Sequence, residues 1–293
     1  MKPGQADLHV HTTASDGTAS PAQVVREAQE LGLAALAITD HDAVAGVRPA
    51  QTAGREAPVE VIAGVEISTR FDPEAEGQEQ VATRGSVLGT GEAHILGYFI
   101  DVRSRQLTDL LEDLASGRRS RGKEMVERLN EAGVQLDWEL VLEEAGDGSV
   151  GRPHVARALV GAGLCRDQRQ AFSVYLVPGR PGFVPRHKIH PREAAEAIDR
   201  AGGVSVLAHP GILNPLPDWR LLGQWGIRGL EVLHPAHSPA QTRAYRQTAA
   251  QRGLLPTGGS DHHGPGDERR LGGVTVPESW VEALRVEGAG SRE

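Results

Sequence analysis

Short apolar runs alternate with amphipathic stretches along the chain, and this alternation predicts parallel βα units. Runs of strand length occur at "ADLHV" (6–10), "AALAITD" (34–40), "VEVIAGVEIS" (59–68), "GVSVLAH" (203–209), "GLEVLH" (229–234) and "LLPTGGSD" (254–261). "GSVLGTGEAHILGYFI" (85–100) reads as two strands joined by a Gly-containing turn. Helix starts are legible between them. Ser20 sits at an N-cap, with Pro21 at the first helical position and Gln23 three residues after the cap. The same Ser-Pro-x-Gln start recurs at 238–241, and "HPREAAEAIDRAGG" (190–203) has Pro191 in its first turn. The tail after about Pro277 reads as one short helix and a disordered end.

The polar exceptions to this pattern fall in particular places. His9, His11, Asp40, His41, Glu66, His209, His234 and Asp261 lie at or just past the ends of apolar runs. Sites of βα barrels gather at the C-terminal ends of strands, so a barrel explains these positions better than an open sheet. The middle of the chain differs. From about Arg103 to Arg186 the pattern is helical, with "RQLTDLLEDLASGRRSRGKEMVERLNEAG" reading as two helices and "GRPHVARALVGAG" as another. The expected organisation is a discontinuous barrel (1–102 and 187–293) carrying a helical insertion (103–186) that caps it. The insertion holds 13 Lys and Arg against 12 Asp and Glu, inside a chain of net charge −8. Its cluster Arg118, Arg119, Arg121 and Lys123 reads as a solvated helix face.

Composition narrows the classes. The 293 residues are 39% hydrophobic and 4% aromatic, so the core rests on Ala, Val, Leu and Ile. An acidic chain is a poor match for duplex DNA or anionic membranes. The one cysteine, Cys165, excludes an intrachain disulfide. "MKPGQADLHV" has no apolar signal region, and "LGLAALAIT" (31–39) is too short to span a bilayer. The expectation is a soluble, cytoplasmic protein with no membrane partner. Nothing in the sequence bears on its oligomeric state.

The chemistry lies in the histidines and carboxylates. Residues two apart on a strand point the same way, so His9 and His11 reach one ion together. Taken alone, such a pair also fits hydrogen-bonded histidines. The case grows by accumulation. Asp16 follows in a loop, His41 lies past a second strand, and Glu66 stands between Val65 and Ile67, where a carboxylate needs a cationic partner. His94 interrupts an apolar strand, His209 ends another, and Asp261 and His263 stand two apart in "GSDHHG". A nitrogen and oxygen set without thiolate suits Zn²⁺, Mn²⁺ or Fe²⁺. Nine ligands are too many for one ion, so a cluster of two or three is implied.

The ordered set "DLHVHTTASDG", "ITDHD", "GVEIS", "HILGY", "LAHPG" and "GSDHH" resembles the polymerase and histidinol phosphatase (PHP) superfamily. It covers roughly residues 6–102 and 187–277. The resemblance implies a distorted (β/α)7 barrel with a helical cap and a three-metal site of Mn, Zn or Fe. It implies that His9, His11, Glu66 and Asp261 hold a first ion. Glu66, His94 and His209 then hold a second, and Asp16, His41 and His263 a third. Asp40, next to a ligand in "TDH", is expected to support catalysis by orienting the site.

Within the superfamily, the helical insertion ending in "YLVPGRPGFV" looks most like the nucleoside 3′,5′-bisphosphate phosphatases, with relatives that trim short RNA from the 5′ end. That likeness implies that Arg152 and His154 of "GRPHVARALV" contact a phosphate. It also implies that His237 binds substrate or protonates the leaving oxygen. His187, His190 and His262 match nothing diagnostic and are expected at the surface. The implied reaction is hydrolysis of a phosphate monoester by a metal-activated water. The partner is a small phosphorylated nucleotide, or short RNA in the rival exonuclease reading. Histidinol phosphate is a further rival substrate, and a non-catalytic PHP module a rival of another class.

Overall fold

The computed structural model describes residues 4–77, 91–146, 148–185, 189–265 and 268–290. The strands are β1 (Gln5–Val10), β2 (Ala35–Ile38), β3 (Glu60–Arg70), β4 (Glu92–Tyr98), β5 (Val204–Leu207), β6 (Gly229–Leu233), β7 (Leu255–Gly258) and β8 (Val276–Pro277). The helices are α1 (Pro21–Glu30), α2 (Val47–Gly54), α3 (Arg105–Glu131), α4 (Trp138–Ala145), α5 (Arg152–Gly161), α6 (Gln168–Ala171), α7 (Pro191–Arg200), α8 (Trp219–Gln224), α9 (Pro239–Arg252) and α10 (Glu278–Gly290). The caps read from sequence form. Ser20 accepts from Gln23 N while Gln23 Oε1 accepts from Ser20 N, and Ser238 and Gln241 repeat the exchange.

The strands run in the order β7-β6-β5-β4-β3-β2-β1-β8, an α/β barrel that is nearly closed. Seven strands build the wall. The eighth, two residues long, lies antiparallel along the start of β1. The gap between β7 and β1 is bridged past the end of β7, where Val10 pairs with His262 and His11 N donates to His262 O at 2.9 Å. Gly259 permits this approach, since a Cβ there would lie 2.3 Å from His9 N.

The alternation predicted parallel βα units, and β4 departs from the parallel arrangement. It runs antiparallel to both β3 and β5. No helix crossover separates β3 from β4 among the described residues, and without one a strand returns antiparallel. The first strand of the hairpin predicted at 85–100 lies largely outside the described residues. The reversal has a consequence for chemistry. His94 is the third residue of β4, paired with Ser68 near the end of β3. It therefore lies at the same barrel mouth as groups that end parallel strands.

The segment expected to form two helices is one helix, α3, of 27 residues, or about 40 Å at 1.5 Å per residue. Gly117 and Gly122 do not break it. Gly122 is a packing position, where a Cβ would meet Val150 at 2.9 Å. Leu107, Leu111 and Leu114 join the core of the barrel, whereas Met125, Val126 and Leu129 join a separate apolar cluster with α4, α5 and the residues that follow them. The helix thus climbs the barrel wall and continues into the layer above its mouth. Among the described residues no helix is long and apolar enough to cross a membrane.

Candidate metal centre

Strand alternation turns His9 and His11 to the same side of β1, where both are fully buried. The chain then folds back. Thr12 N and Thr12 Oγ1 donate to the two oxygens of Asp40 at 2.7 and 2.8 Å, and Ser15 Oγ donates to Asp40 Oδ1 at 2.7 Å. Asp40 is fully buried and does not line the cavity; it fastens the loop that presents Asp16. Asp16 Oδ1 lies 3.3 Å from His263 Nε2.

Glu66 is the hub. Its Oε2 lies 3.0 Å from His41 Nδ1, 3.2 Å from His11 Nε2 and 3.3 Å from His9 Nε2. Its Oε1 lies 2.7 Å from His94 Nδ1 and 2.9 Å from His209 Nε2. Asp261 Oδ1 approaches His11 and His9 at 3.2 and 3.4 Å. Ligand atoms of His9, His11, Glu66 and Asp261 all lie within 4.8 Å of one another, as do those of His11, Asp16, His41 and His263, and those of His41, Glu66 and His94. His209 joins the last group through Glu66.

Electrostatics point the same way. Burial would raise the Glu66 carboxyl, but the imidazoles of His41, His94 and His9 outweigh it and hold its pKa well below the usual range. Burial would lower His11, yet Asp261 and Glu66 hold it at about 9. His41, by contrast, is pushed to about 3 by burial, which outweighs the help of Glu66 and Asp16 and is reinforced by His11 and His94. Several buried atoms of the cluster have no partner in hydrogen-bonding geometry: both ring nitrogens of His11, His41 Nδ1, His209 Nδ1 and Asp16 Oδ1. Lone pairs facing inward on hard oxygens and imidazoles, with no thiolate, fit divalent cations.

Sequence reasoning passed over several residues of this site. Glu231 is fully buried; its Oε1 lies 2.9 Å from His9 Nδ1, and its Oε2 accepts from His209 N at 2.6 Å. It forms a further possible ligand group with His9 and His234. Asp7 accepts from Ser260 N and Gly272 N, tying β1 to the segment after β7. The signal was present: Asp7 and Glu231, like Glu66, are carboxylates inside apolar strands.

The mouth opens into a cavity of about 220 Å³ lined by Asp16, His41, Glu66, His94, His209, Asp261 and His263 on the barrel side. Arg118, Arg121, Arg152 and Phe172 line it from the helical layer, together with Glu92 and Arg269. The solvated face expected for residues 118–123 is thus only half right. Arg119 and Lys123 are exposed, but Arg118 is 5% exposed, its Nε donating to Asp42 Oδ2 at 2.5 Å and its Nη2 to Ser68 Oγ at 3.0 Å. Arg118 stands on the apolar stripe of α3, in step with Leu107, Leu111, Leu114 and Met125. That position is what periodicity offered as a signal. Arg121 is driven down to about 10 by burial and by Arg152 and Arg118.

Two residues expected to contact substrate are held by neighbouring backbone. His154 is 1% exposed, accepts from Gly151 N through Nδ1 at 2.8 Å, and is not among the cavity walls. His237 is also absent from them. Its Nδ1 lies 3.0 Å from Val232 O and its Nε2 accepts from Gly211 N at 3.2 Å, so both ring nitrogens are engaged. His262, expected at the surface, is buried with Nδ1 2.8 Å from Arg269 O. His190 is half-buried as the N-cap of α7, and His187 lies outside the described residues.

A family profile described as PHP domain matches residues 7–160. The chain belongs to the PHP domain family. This PHP protein is 34% identical over 264 residues to a 5′-3′ exoribonuclease of Haemophilus influenzae, covering 88% of this chain and 90% of that one. It is 31% identical to a 3′,5′-nucleoside bisphosphate phosphatase of Chromobacterium violaceum, over 92% of this chain and 90% of the other. It is 32% identical to a phosphoribosyl 1,2-cyclic phosphate 1,2-diphosphodiesterase of Eggerthella lenta, over 88% and 94%. A solved structure from Bifidobacterium adolescentis, assigned to the metal-dependent phosphoesterases, superposes with a TM-score of 0.86 at 32% identity over 98% of both chains. This PHP protein is a hydrolase of phosphoester bonds whose site is built for metal.

Proposed function

We propose that the protein removes the 3′-phosphate from nucleoside 3′,5′-bisphosphates. One observation carries this reading: a single cavity has a ligand cluster as its floor and Arg118, Arg121 and Arg152 on its opposite, helical side. The floor suits the phosphate that reacts. Arg121 and Arg152 suit one that stays, because a guanidinium fork donates two hydrogen bonds to one phosphate. Histidinol phosphate has only one phosphate and leaves the arginine side unused.

Three divalent ions, of Mn, Zn or Fe, would be held by His9, His11, Glu66 and Asp261; by Glu66, His94 and His209; and by Asp16, His41 and His263. Bound there, such ions lower the pKa of water and neutralise charge on phosphoryl oxygens. The rest is the work of the chain. Glu66 joins the first two groups. Asp40 holds the Asp16 loop, and Glu231 sets the ring of His9. His237 keeps the turn after His209 in place through Gly211 N. Arg152 and Arg121 orient the substrate, and the insertion 103–186 serves as a cap that excludes water.

Trimming of short RNA from its 5′ end is the second reading, favoured by the 34% identity to an exoribonuclease. A non-catalytic module is disfavoured because all nine positions hold residues able to bind metal, seven of them lining one cavity and His9 and His11 buried against Glu66 and Asp261. The test is phosphate release from 3′,5′-bisphosphoadenosine, histidinol phosphate and a 5′-phosphorylated trinucleotide, with Mn²⁺, Zn²⁺ or a chelator. The bisphosphate should turn over fastest and the chelator should stop it. Faster turnover of histidinol phosphate overturns the substrate, and inactivity on all three with metal supports the module.

A further inference from the structure

A second groove, of about 470 Å³, adjoins the catalytic cavity. The two share Asp16, Pro153, Phe172, His263 and Arg269 as walls. Phe172 is half-buried and faces both spaces. It opens a π-helical turn, Phe172–Leu176, directly after α6. Such turns are rare and concentrate at functional sites.

The chemistry of the groove differs from that of the cavity. Its two cations are already engaged: Arg157 Nε donates to Glu144 Oε2 at 3.0 Å and its Nη1 to Asp16 O at 3.3 Å, while Arg269 pairs with Asp261. Glu268 adds negative charge. Phosphate has a better seat beside Arg121 and Arg152 in the cavity. What the groove offers is an aromatic ring, the Pro153 ring, and the exposed amide of Gln168.

We propose that this groove receives the nucleobase of the substrate, stacked on Phe172, with Gln168 beside its edge. The inference rests on the bisphosphate reading and deepens it: it makes the enzyme selective for nucleotides over phosphorylated sugars. A base bound there leaves its ribose at the shared wall, close to Asp16 and His263, where a ribose phosphate reaches the metal ligands.

The experiment uses the full, metal-loaded chain with Phe172→Leu, which keeps apolar volume, and Phe172→Trp, which keeps a ring. Base stacking on an aromatic side chain implies a loss of about 5- to 100-fold in kcat/KM for 3′,5′-bisphosphoadenosine in the Leu variant. Ribose 3,5-bisphosphate, which has the same phosphates and no base, should lose less than about threefold by the same reasoning. The Trp variant should keep the nucleotide rate. A second readout needs no turnover: fluorescence of 2-aminopurine riboside 5′-phosphate should be quenched by the wild type and the Trp variant, and not by the Leu variant. Equal losses on both bisphosphates, or quenching that persists in the Leu variant, overturn the base site. Wild-type inactivity on both bisphosphates with quenching intact overturns the substrate reading and leaves the base site standing.

Discussion

Replacing Glu231 by Gln tests how the site is organised with almost no change of shape. The Glu231 carboxylate accepts twice in a fully buried setting, from His209 N at 2.6 Å and from the Nδ1 side of His9 at 2.9 Å. Glutamine has one acceptor oxygen and one amino group. The backbone N–H of His209 cannot turn away, so the oxygen stays there and the amino group faces His9. His9 relieves the clash by moving its proton from Nδ1 to Nε2. But Nε2 is the nitrogen that faces Glu66 and Asp261, at 3.3 and 3.4 Å. The variant therefore puts a proton on the nitrogen through which, in the proposed site, His9 would bind metal. Substitution of such supporting partners typically weakens metal binding by about 10- to 100-fold. The lost charge-assisted bond should also cost about 1–3 kcal/mol of stability. Metal titration calorimetry measures the first effect and urea unfolding of the metal-free protein the second. Nitrogen-15 NMR of the imidazoles, with one metal equivalent added, reads the tautomer. Unchanged metal affinity with His9 still protonated on Nδ1 refutes the reasoning. Loss of stability alone gives Glu231 a structural role only.

Three further outcomes follow from the same contacts. Burial opposes it, but Asp261 and Glu66 hold the His11 pKa at about 9, so the metal-free cluster holds extra protons at pH 7; Glu231, Glu66 and Asp261 shift His9 in the same direction. Metal ligation must expel these protons; affinity should rise between pH 7 and 9, with protons released in calorimetry across buffers of different ionisation enthalpy, and a flat profile opposes this. Arg118→Ala removes one partner of the buried Arg118–Asp42 ion pair and should cost about 3–5 kcal/mol in urea unfolding, with part recovered in the double variant with Asp42→Ala. His154 is held neutral by burial, its pKa lowered from 6.5 to about 4. Above pH 6.5 its contribution is constant. Below it the unfolded chain takes up a proton that the folded chain refuses, so stability falls, by up to about 3 kcal/mol at pH 4; His154→Gln should flatten that slope, and an unchanged slope contradicts it.

Much of the architecture was legible because it is local. Capping residues and strand-length apolar runs located helix starts and most of the wall. The reversal of β4 was not legible, since strand direction depends on connections and neighbours rather than on the composition of "EAHILGY". The single α3 was misread as two helices for a related reason. Glycine in a helix costs about 1 kcal/mol relative to Ala, which favours a break only when nothing packs there. Gly122 lies against Val150 and Trp138, and tertiary contact outweighs propensity.

The site was legible where a polar residue broke an apolar pattern, and it was missed where that criterion was applied unevenly. Glu66 between Val65 and Ile67 was read as a group in need of a cation; Glu231 between Leu230 and Val232, and Asp7 between Ala6 and Leu8, meet the same test. All three are buried on strands of one barrel. Arg118 is the helical counterpart, a charge on the buried stripe of α3. Backbone conformation repeats the lesson. Among the described residues four non-glycine positions have positive φ, and three of them, Asp42, His209 and Asp261, are at this mouth. Such conformations cost about 1–3 kcal/mol and persist only where surroundings fix them. Here the surroundings are visible: Asp42 is held by Ser68 N and Arg118, and His209 by Glu231. The charges that look misplaced in the strands and in α3 therefore form the frame that holds the candidate ligands in place, and the strained backbone at Asp42, His209 and Asp261 is what that frame makes possible.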